Sequence, residues 1–383
     1  MPTDFQFITV PQINFALGAA ANLATVCASH GVTRPYIVTD PGILQFNLLD
    51  SALAEFKVAP VIYSDVVADP PEHVVIEATA AAKDAGCDGV VGFGGGSSMD
   101  VAKLVAVLLS GEQDLPSMYG VDCVNCTRVP LIQVPTTAGT GSEATNVAIV
   151  TTGESTKAGV VSRQLYADHI ILDAELTLGL PAHVTAATGI DAMVHAIEAF
   201  TSKRLKNPMS DMLALKALDL MSSSITTAVE QGSDLQARSN MLYGAMLAGQ
   251  AFSNSPVGAV HALAYPLGGS YHIPHGLSNS LVLPHVLRFN AASAVELYEQ
   301  ICQVVLPQAA RDSQGIELVN QLADYFLGLA RDLGLQTTLA EMNIASADVP
   351  GLAEQAMLQQ RLLINNPREV LYNDALAIYQ AAY

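Results

Sequence analysis

The sequence predicts an α/β N-terminal domain over residues 1–180, built on a Rossmann-like parallel sheet, followed by an all-helical domain over residues 181–383. Three observations carry this. In the first half, short β-rich runs alternate with amphipathic helical patterns, as strands of a parallel sheet alternate with the helices that cover it. From Leu180 to Tyr383, alanine-, leucine- and methionine-rich segments recur at helical spacing with few β-branched runs. At 383 residues, the chain is also long for one hydrophobic core.

The strands come in order as "PYIVTD" (35–40), "APVIYSDV" (59–66), "DGVVGFG" (88–94) and "PLIQVPTT" (130–137), and "NVAIVTT" (146–152) and "HIILD" (169–173) close the first half. Pro181 marks the boundary, because its fixed φ and missing N–H suit the start of a new helix.

Composition narrows the function. Half the residues are hydrophobic and 14% are charged, which suits a compact protein with an oligomer interface, a homodimer being expected. The net charge of −19, from 17 basic and 36 acidic residues, repels phosphate backbones and anionic lipid, so neither nucleic acid nor membrane is an expected partner. No uncharged apolar run is long enough to span a bilayer, and "MPTDFQFITVPQINF" lacks the pattern of a signal peptide, so a cytoplasmic location is expected. Five cysteines are too few and too odd in number for a disulfide framework, and the lone C-x-x-C of Cys123 and Cys126 reads as a loop pair.

"GVVGFGGGSSMDVAK" places an apolar strand, a glycine cluster and then Ser97, Ser98 and Asp100 at a helix start. Backbone N–H groups there form an anion site suited to a pyrophosphate. Gly92, Gly94, Gly95 and Gly96 do not satisfy G-x-G-x-x-G, and a purely structural turn fits the pattern equally well. A second loop, "PTTAGTGSE" (135–143), offers hydroxyls and amides to a ribose or phosphate. Asp40, ending "YIVTD", could accept the hydroxyls of an adenosine ribose and repel a 2′-phosphate, or simply serve a turn.

In "ATGIDAMVHAIEAF", Asp191 and His195 are four apart and share one helix face. They could share a divalent cation or form an ordinary hydrogen-bonded pair. Four of the nine histidines fall between His261 and His285, with His261 and His275 separated by a Gly-Gly and a proline that let a helix end and a loop return. Three imidazoles and one carboxylate would leave a divalent ion with net positive charge and an open position, as a Lewis-acid site requires. His285 reads as structural.

With these motifs in view, the chain resembles the iron-containing (group III) alcohol dehydrogenase family along nearly its whole length, through "PQINFALGAA", "GGGSSMDVAK", "PTTAGTGSE", "GIDAMVHAIEAF", "HALAYPLGGSYHIPHG" and "LPHVLRFN". The resemblance implies a fold shared with dehydroquinate synthase, NAD as cofactor and a divalent metal, iron(II) expected and zinc(II) the alternative. It puts Asp191, His195, His261 and His275 at metal-ligand positions, Gly95, Gly96, Ser97 and Asp100 in the pyrophosphate loop, and Thr136, Thr137, Thr140 and Ser142 in the second cofactor loop. Lys157 and Leu180 match positions near the cofactor, and Phe252 matches one lining the substrate pocket.

The implied activity is hydride transfer between a small alcohol, or in reverse an aldehyde, and NAD. One departure stands out: where many members carry a histidine suspected of relaying protons, this chain has Tyr265, whose reference pKa near ~10 makes it a poorer relay than imidazole. His272 is the substitute relay, or else a loop residue. Tyr265 also keeps a hydroxyacid–oxoacid transhydrogenase in play. Further alternatives are a maleylacetate reductase, a dehydroquinate synthase-like lyase and a non-catalytic binding protein.

Overall fold

The computed structural model describes residues 4–111, 113–153 and 156–383, which divide into two compact units. One comprises residues 8–179; the other comprises residues 180–383 together with the described N-terminal residues up to Phe7. The sequence pattern places those first residues in the α/β half. They group with the helical unit through packing between segments remote in sequence, to which local periodicity is blind.

The strands of the first unit are β1 (Gln12–Phe15), β2 (Pro35–Val38), β3 (Val61–Tyr63), β4 (Gly89–Gly94), β5 (Gly120–Val121), β6 (Leu131–Pro135), β7 (Val147–Thr152), β8 (Thr156–Val161) and β9 (His169–Leu172). Six of them form one parallel sheet in the order β1-β9-β6-β4-β2-β3. β2, β4, β6 and β9 are buried along their whole length, which is why they read as mainly apolar runs without alternation, Gln133 and His169 being the buried polar exceptions. β7 does not join this sheet. It pairs antiparallel with β8, which pairs parallel with β5, in a smaller mixed sheet.

The two longest helices of this unit are α1 (Glu72–Asp84) and α2 (Gly96–Leu108). α2 packs on β2, β4 and β6 and is buried nearly all round, from Ser98 to Leu108 apart from half-buried Asp100. Phe93, Val91, Ile132, Val134 and Ile171 join Leu23 and Ile37 in a core on the sheet. Each such side chain contributes roughly 1.5–3 kcal/mol on burial.

The second unit has no strand among its described residues. Its main helices are α3 (Ala182–Thr201), α4 (Pro208–Ser222), α5 (Leu235–Asn254), α6 (Ala259–Tyr271), α7 (His275–Val305), α8 (Gly315–Asp332) and α9 (Tyr372–Ala382). Pro181 stands at the N-cap of α3. α3 is the hub, packed against α4, α5 and α7 and buried without interruption from Gly189 to Thr201. α7 carries a kink at Ala294, whose φ of −139° is not helical. No helix of the described residues is long and apolar enough to cross a membrane.

Candidate metal centre and nucleotide loops

In the helical unit, four side chains from three helices converge. Asp191 and His195 stand one turn apart on α3, His261 lies in the first turn of α6, and His275 opens α7. One ligand atom of each lies within 4.8 Å of all the others, with Asp191, His195 and His261 buried. His261 Nε2 is 3.0 Å from His195 Nε2, and Asp191 Oδ1 is 3.6 Å from His275 Nε2 and 4.0 Å from His261 Nε2.

Local sequence explains the convergence. α6 stops where His272 takes a left-handed φ of 53° and its N–H bonds to the Gly268 carbonyl, and Pro274 at the next N-cap restarts the chain as α7 with His275 first. Gly276 then allows close approach: a Cβ there would run into the Ala187 carbonyl of α3 and lie 3.3 Å from the Asp191 Cβ. The absent side chain is what lets α7 seat His275 beside Asp191.

The donor set fits a divalent cation. His261 Nδ1 lies 2.5 Å from Glu198 Oε2, and since a carboxylate only accepts, the proton sits on Nδ1 and the Nε2 lone pair faces His195 Nε2. Without an ion, His195 Nε2–H can donate to the His261 Nε2 lone pair; with one, both imidazole nitrogens and the Asp191 carboxylate can turn their lone pairs to the same cation. Burial pushes the Asp191 carboxyl up, but His195, His275, His261 and the Asn279 amide outweigh it and hold the group below the usual carboxylate range. A three-imidazole, one-carboxylate set of this kind suits iron(II) or zinc(II).

In the α/β unit, Asp40, the glycine loop and the threonine loop lie at the C-terminal ends of the neighbouring strands β2, β4 and β6. The chain runs from β2 outward to β3, then returns to β4 on the other side of β2, so β2 and β4 flank the switch point where open α/β sheets bind ligands. Gly94 has a φ of 150°, and a Cβ on it would meet Ser98 Oγ at 2.8 Å. Gly96, at the start of α2, is closed in by Thr140, whose Cγ2 a Cβ would meet at 2.7 Å. The N–H groups of Gly96, Ser97 and Ser98 therefore head α2 as first-turn donors, with the threonine loop packed beside them.

Comparison with known proteins follows the same division of the chain. Residues 11–174 match the family model described as iron-containing alcohol dehydrogenase, and residues 185–383 match the Fe-containing alcohol dehydrogenase family, C-terminal. The chain belongs to the iron-containing alcohol dehydrogenase family. It is 36% identical over 384 residues to the sulfoacetaldehyde reductase of Bilophila wadsworthia, covering 99% of each chain. A crystal structure of 1,3-propanediol oxidoreductase superposes with a TM-score of 0.95 at 32% identity, over 99% of this chain and 100% of that one. The structure of Bifidobacterium kashiwanohense sulfoacetaldehyde reductase in complex with NAD+ superposes with a TM-score of 0.87 at 26% identity, over 100% of this chain and 99% of that one.

Within this family frame, the remaining expected residues fall into distinct settings. Phe252 of α5 stacks on the His195 ring at 4.5 Å, with 22° between the planes. Tyr265 stands one turn beyond His261, its ring 6.1 Å from that of His275. His272 is exposed on the left-handed cap. His285 is half-buried, and burial and then the Arg288 charge push its imidazole down to about 4, so it stays neutral. Leu180 gives its carbonyl to the Arg238 guanidinium at 3.3 Å.

Several loop residues are turned to structural work. Asp40 caps the short helix Pro41–Gln45, accepting from Gly42 N at 2.9 Å, and receives Ser98 Oγ at 3.4 Å. Asp100 and Ser142 point away from the loop surface into a polar knot: Ser142 Oγ donates to Asp100 at 2.5 Å and receives the fully buried Lys103 Nζ at 2.7 Å, while Asp100 also takes the Ile149 N–H. This knot ties the glycine-loop helix to the threonine loop. Lys157 has its charge met by Asp69 at 2.5 Å.

Three residues of the centre escaped sequence reading: Glu198, Asn279 and Gly276. Glu198 had a usable signal, since it lies three residues beyond His195 on the same helix. Its partner His261 is 63 positions away.

Proposed function

We propose that this member of the family is an NAD-dependent, metal-dependent dehydrogenase that interconverts a small alcohol and its aldehyde. The observation that carries the reading is the convergence of Asp191, His195, His261 and His275 within 4.8 Å. When bound, the divalent cation, iron(II) with zinc(II) as the alternative, supplies Lewis acidity toward the alcohol or carbonyl oxygen, and NAD accepts or returns the hydride.

The chain's own residues supply the rest. Glu198 fixes the tautomer of His261, and Phe252 holds the plane of His195 by stacking. Gly95, Gly96 and Ser97 cradle the pyrophosphate at the head of α2, with Thr136, Thr137 and Thr140 beside it, and Lys103, Asp100 and Ser142 brace that surface from beneath. Asp40 sets the preference for NAD. Of the two proton-handling candidates, Tyr265 has the better claim, because its ring faces His275 while His272 is exposed. Its task in this reading is to orient the reacting oxygen by hydrogen bonding. Lys157 and Leu180 serve the cofactor's surroundings.

The same reading includes a cytoplasmic homodimer. The free state of all five cysteines suits a reducing compartment, and a half-hydrophobic composition suits a buried subunit interface.

The test combines metal analysis of anaerobically purified protein with a panel of alcohols, aldehydes, sulfoacetaldehyde and a hydroxyacid–oxoacid pair. Asp191→Ala, His195→Ala, His261→Ala and His275→Ala should each lose most metal and nearly all turnover, whereas His285→Ala should keep both. Full metal content and activity in His275→Ala would sink the assignment.

A further inference from the structure

Asn279 is fully buried on α7, one turn beyond His275. Its amide nitrogen lies 2.5 Å from Asp191 Oδ1, 3.3 Å from His261 Nε2 and 3.3 Å from His275 Nε2. Those are the atoms that face the shared point of the cluster. The other end of the same amide, Oδ1, is buried with no hydrogen-bond partner. A buried orphan acceptor is uncommon in native proteins and calls for a physical reason.

The reason lies in the chemistry of a primary amide. An N–H donor and a cation compete for the same lone pairs, so this arrangement of Asn279 and an ion bonded to Asp191, His261 and His275 exclude each other. Half a turn about the last side-chain torsion exchanges nitrogen for oxygen with little change of shape. The orphaned oxygen then faces the carboxylate and imidazoles, a position tolerable only when a cation lies between them.

We propose that Asn279 is a further member of the metal centre, its NH2 group satisfying the ligands when no ion is bound and its carbonyl oxygen turning to the cation when one is. The proposal rests on reading the four-residue cluster as a metal site. It makes the centre pre-organised: without the ion the two amide hydrogens serve Asp191 and one imidazole lone pair, His261 Nε2 has His195 Nε2 as a second neighbour, and one torsion converts donor to ligand.

The experiment uses the full-length protein stripped with chelator and reloaded with Zn2+. Spectra of protein labelled with 15N in asparagine side chains, with the Asn279 pair identified by its loss in Asn279→Leu, should show that pair shifting strongly on stoichiometric Zn2+ addition. Asn279→Asp keeps an oxygen for the ion but has no donor for the stripped state. It should bind Zn2+ about tenfold more tightly than wild type in chelator competition, and its stripped form should melt earlier. Wild-type protein that takes up Zn2+ with the Asn279 pair unmoved, or Asn279→Asp with no gain in affinity, would overturn the proposal and leave the metal site intact. Wild-type protein that takes up no Zn2+ would remove both.

Discussion

Glu198 holds His261 from behind: one carboxylate oxygen lies 2.5 Å from Nδ1 of the imidazole, and the other accepts the Val260 N–H at 2.7 Å. Both contacts fix the first turn of α6 against α3, so one side chain sets the tautomer, the ring orientation and the helix position. Such carboxylate partners raise the basicity of a ligating imidazole. Glu198→Gln should therefore lower metal affinity by about 10- to 100-fold. Chelator competition on folded protein measures this, and affinity equal to wild type would show that the carboxylate is only a packing group.

Gly276 should prove as sensitive as a ligand. Gly276→Ala forces a methyl group against the Ala187 carbonyl and toward Asp191, so α7 must withdraw from α3. The expected cost is about 1–3 kcal/mol of stability, together with reduced metal occupancy. Gly328 of α8 has open space where a Cβ would go, so Gly328→Ala is the control and should be stabilising by roughly 0.5–1 kcal/mol. Equal melting temperatures and metal contents in the two variants would contradict the close-approach argument.

Cofactor choice should rest on Asp40. A carboxylate at the C-terminal end of β2, beside the switch point, would oppose a 2′-phosphate placed there by charge and by desolvation. Asp40→Gly should reduce the preference for NAD over NADP, and because glycine caps a helix nearly as well as aspartate, stability should change by only a few tenths of a kcal/mol. The readout is the ratio of kcat/KM for the two cofactors. A wild-type enzyme that prefers NADP would remove Asp40 from the ribose.

Glu143 should make the protein less stable as pH rises. The side chain is buried with Oε1 unpartnered, and desolvation pushes its carboxyl from 4.5 up to about 7, against the opposing pull of its own backbone N–H and of Lys103. Between those two values the folded protein holds a proton that the unfolded chain has released, so stability falls from about pH 4.5 to about pH 7, and the loss is complete above that. Glu143→Gln should match wild type near pH 4.5 and exceed it at pH 8 by on the order of 1–3 kcal/mol. Denaturant melts at the two pH values check this, and the same difference at both would rule out the titration.

What was legible in the sequence follows from what a local pattern can hold. The runs at 88–94, 130–137 and 169–173 are rich in apolar residues with no hydrophobic–polar alternation because their strands are buried on both faces, so they pointed to a parallel sheet directly. β1 lies largely exposed along "QINF" and β8 mixes threonine, lysine and glycine, so neither carried such a signal. The run at 146–152 reads correctly as a strand, but its place in a second sheet is a matter of pairing, which no single strand encodes.

The candidate centre divides in the same way. One-turn spacing put Asp191 and His195 on one helix face, clustering brought His261 and His275 into view together with His272 and His285, and the resemblance of the motifs picked out the family and the four residues that converge. The tertiary structure decided what surrounds them. It set Glu198 behind His261 and Asn279 among the ligand atoms, and it turned Asp100 and Ser142 inward onto Lys103. Each of these contacts joins helices or loops remote in sequence, and the direction of a buried hydrogen bond is fixed only when the packing of the chain leaves a donor one acceptor within reach.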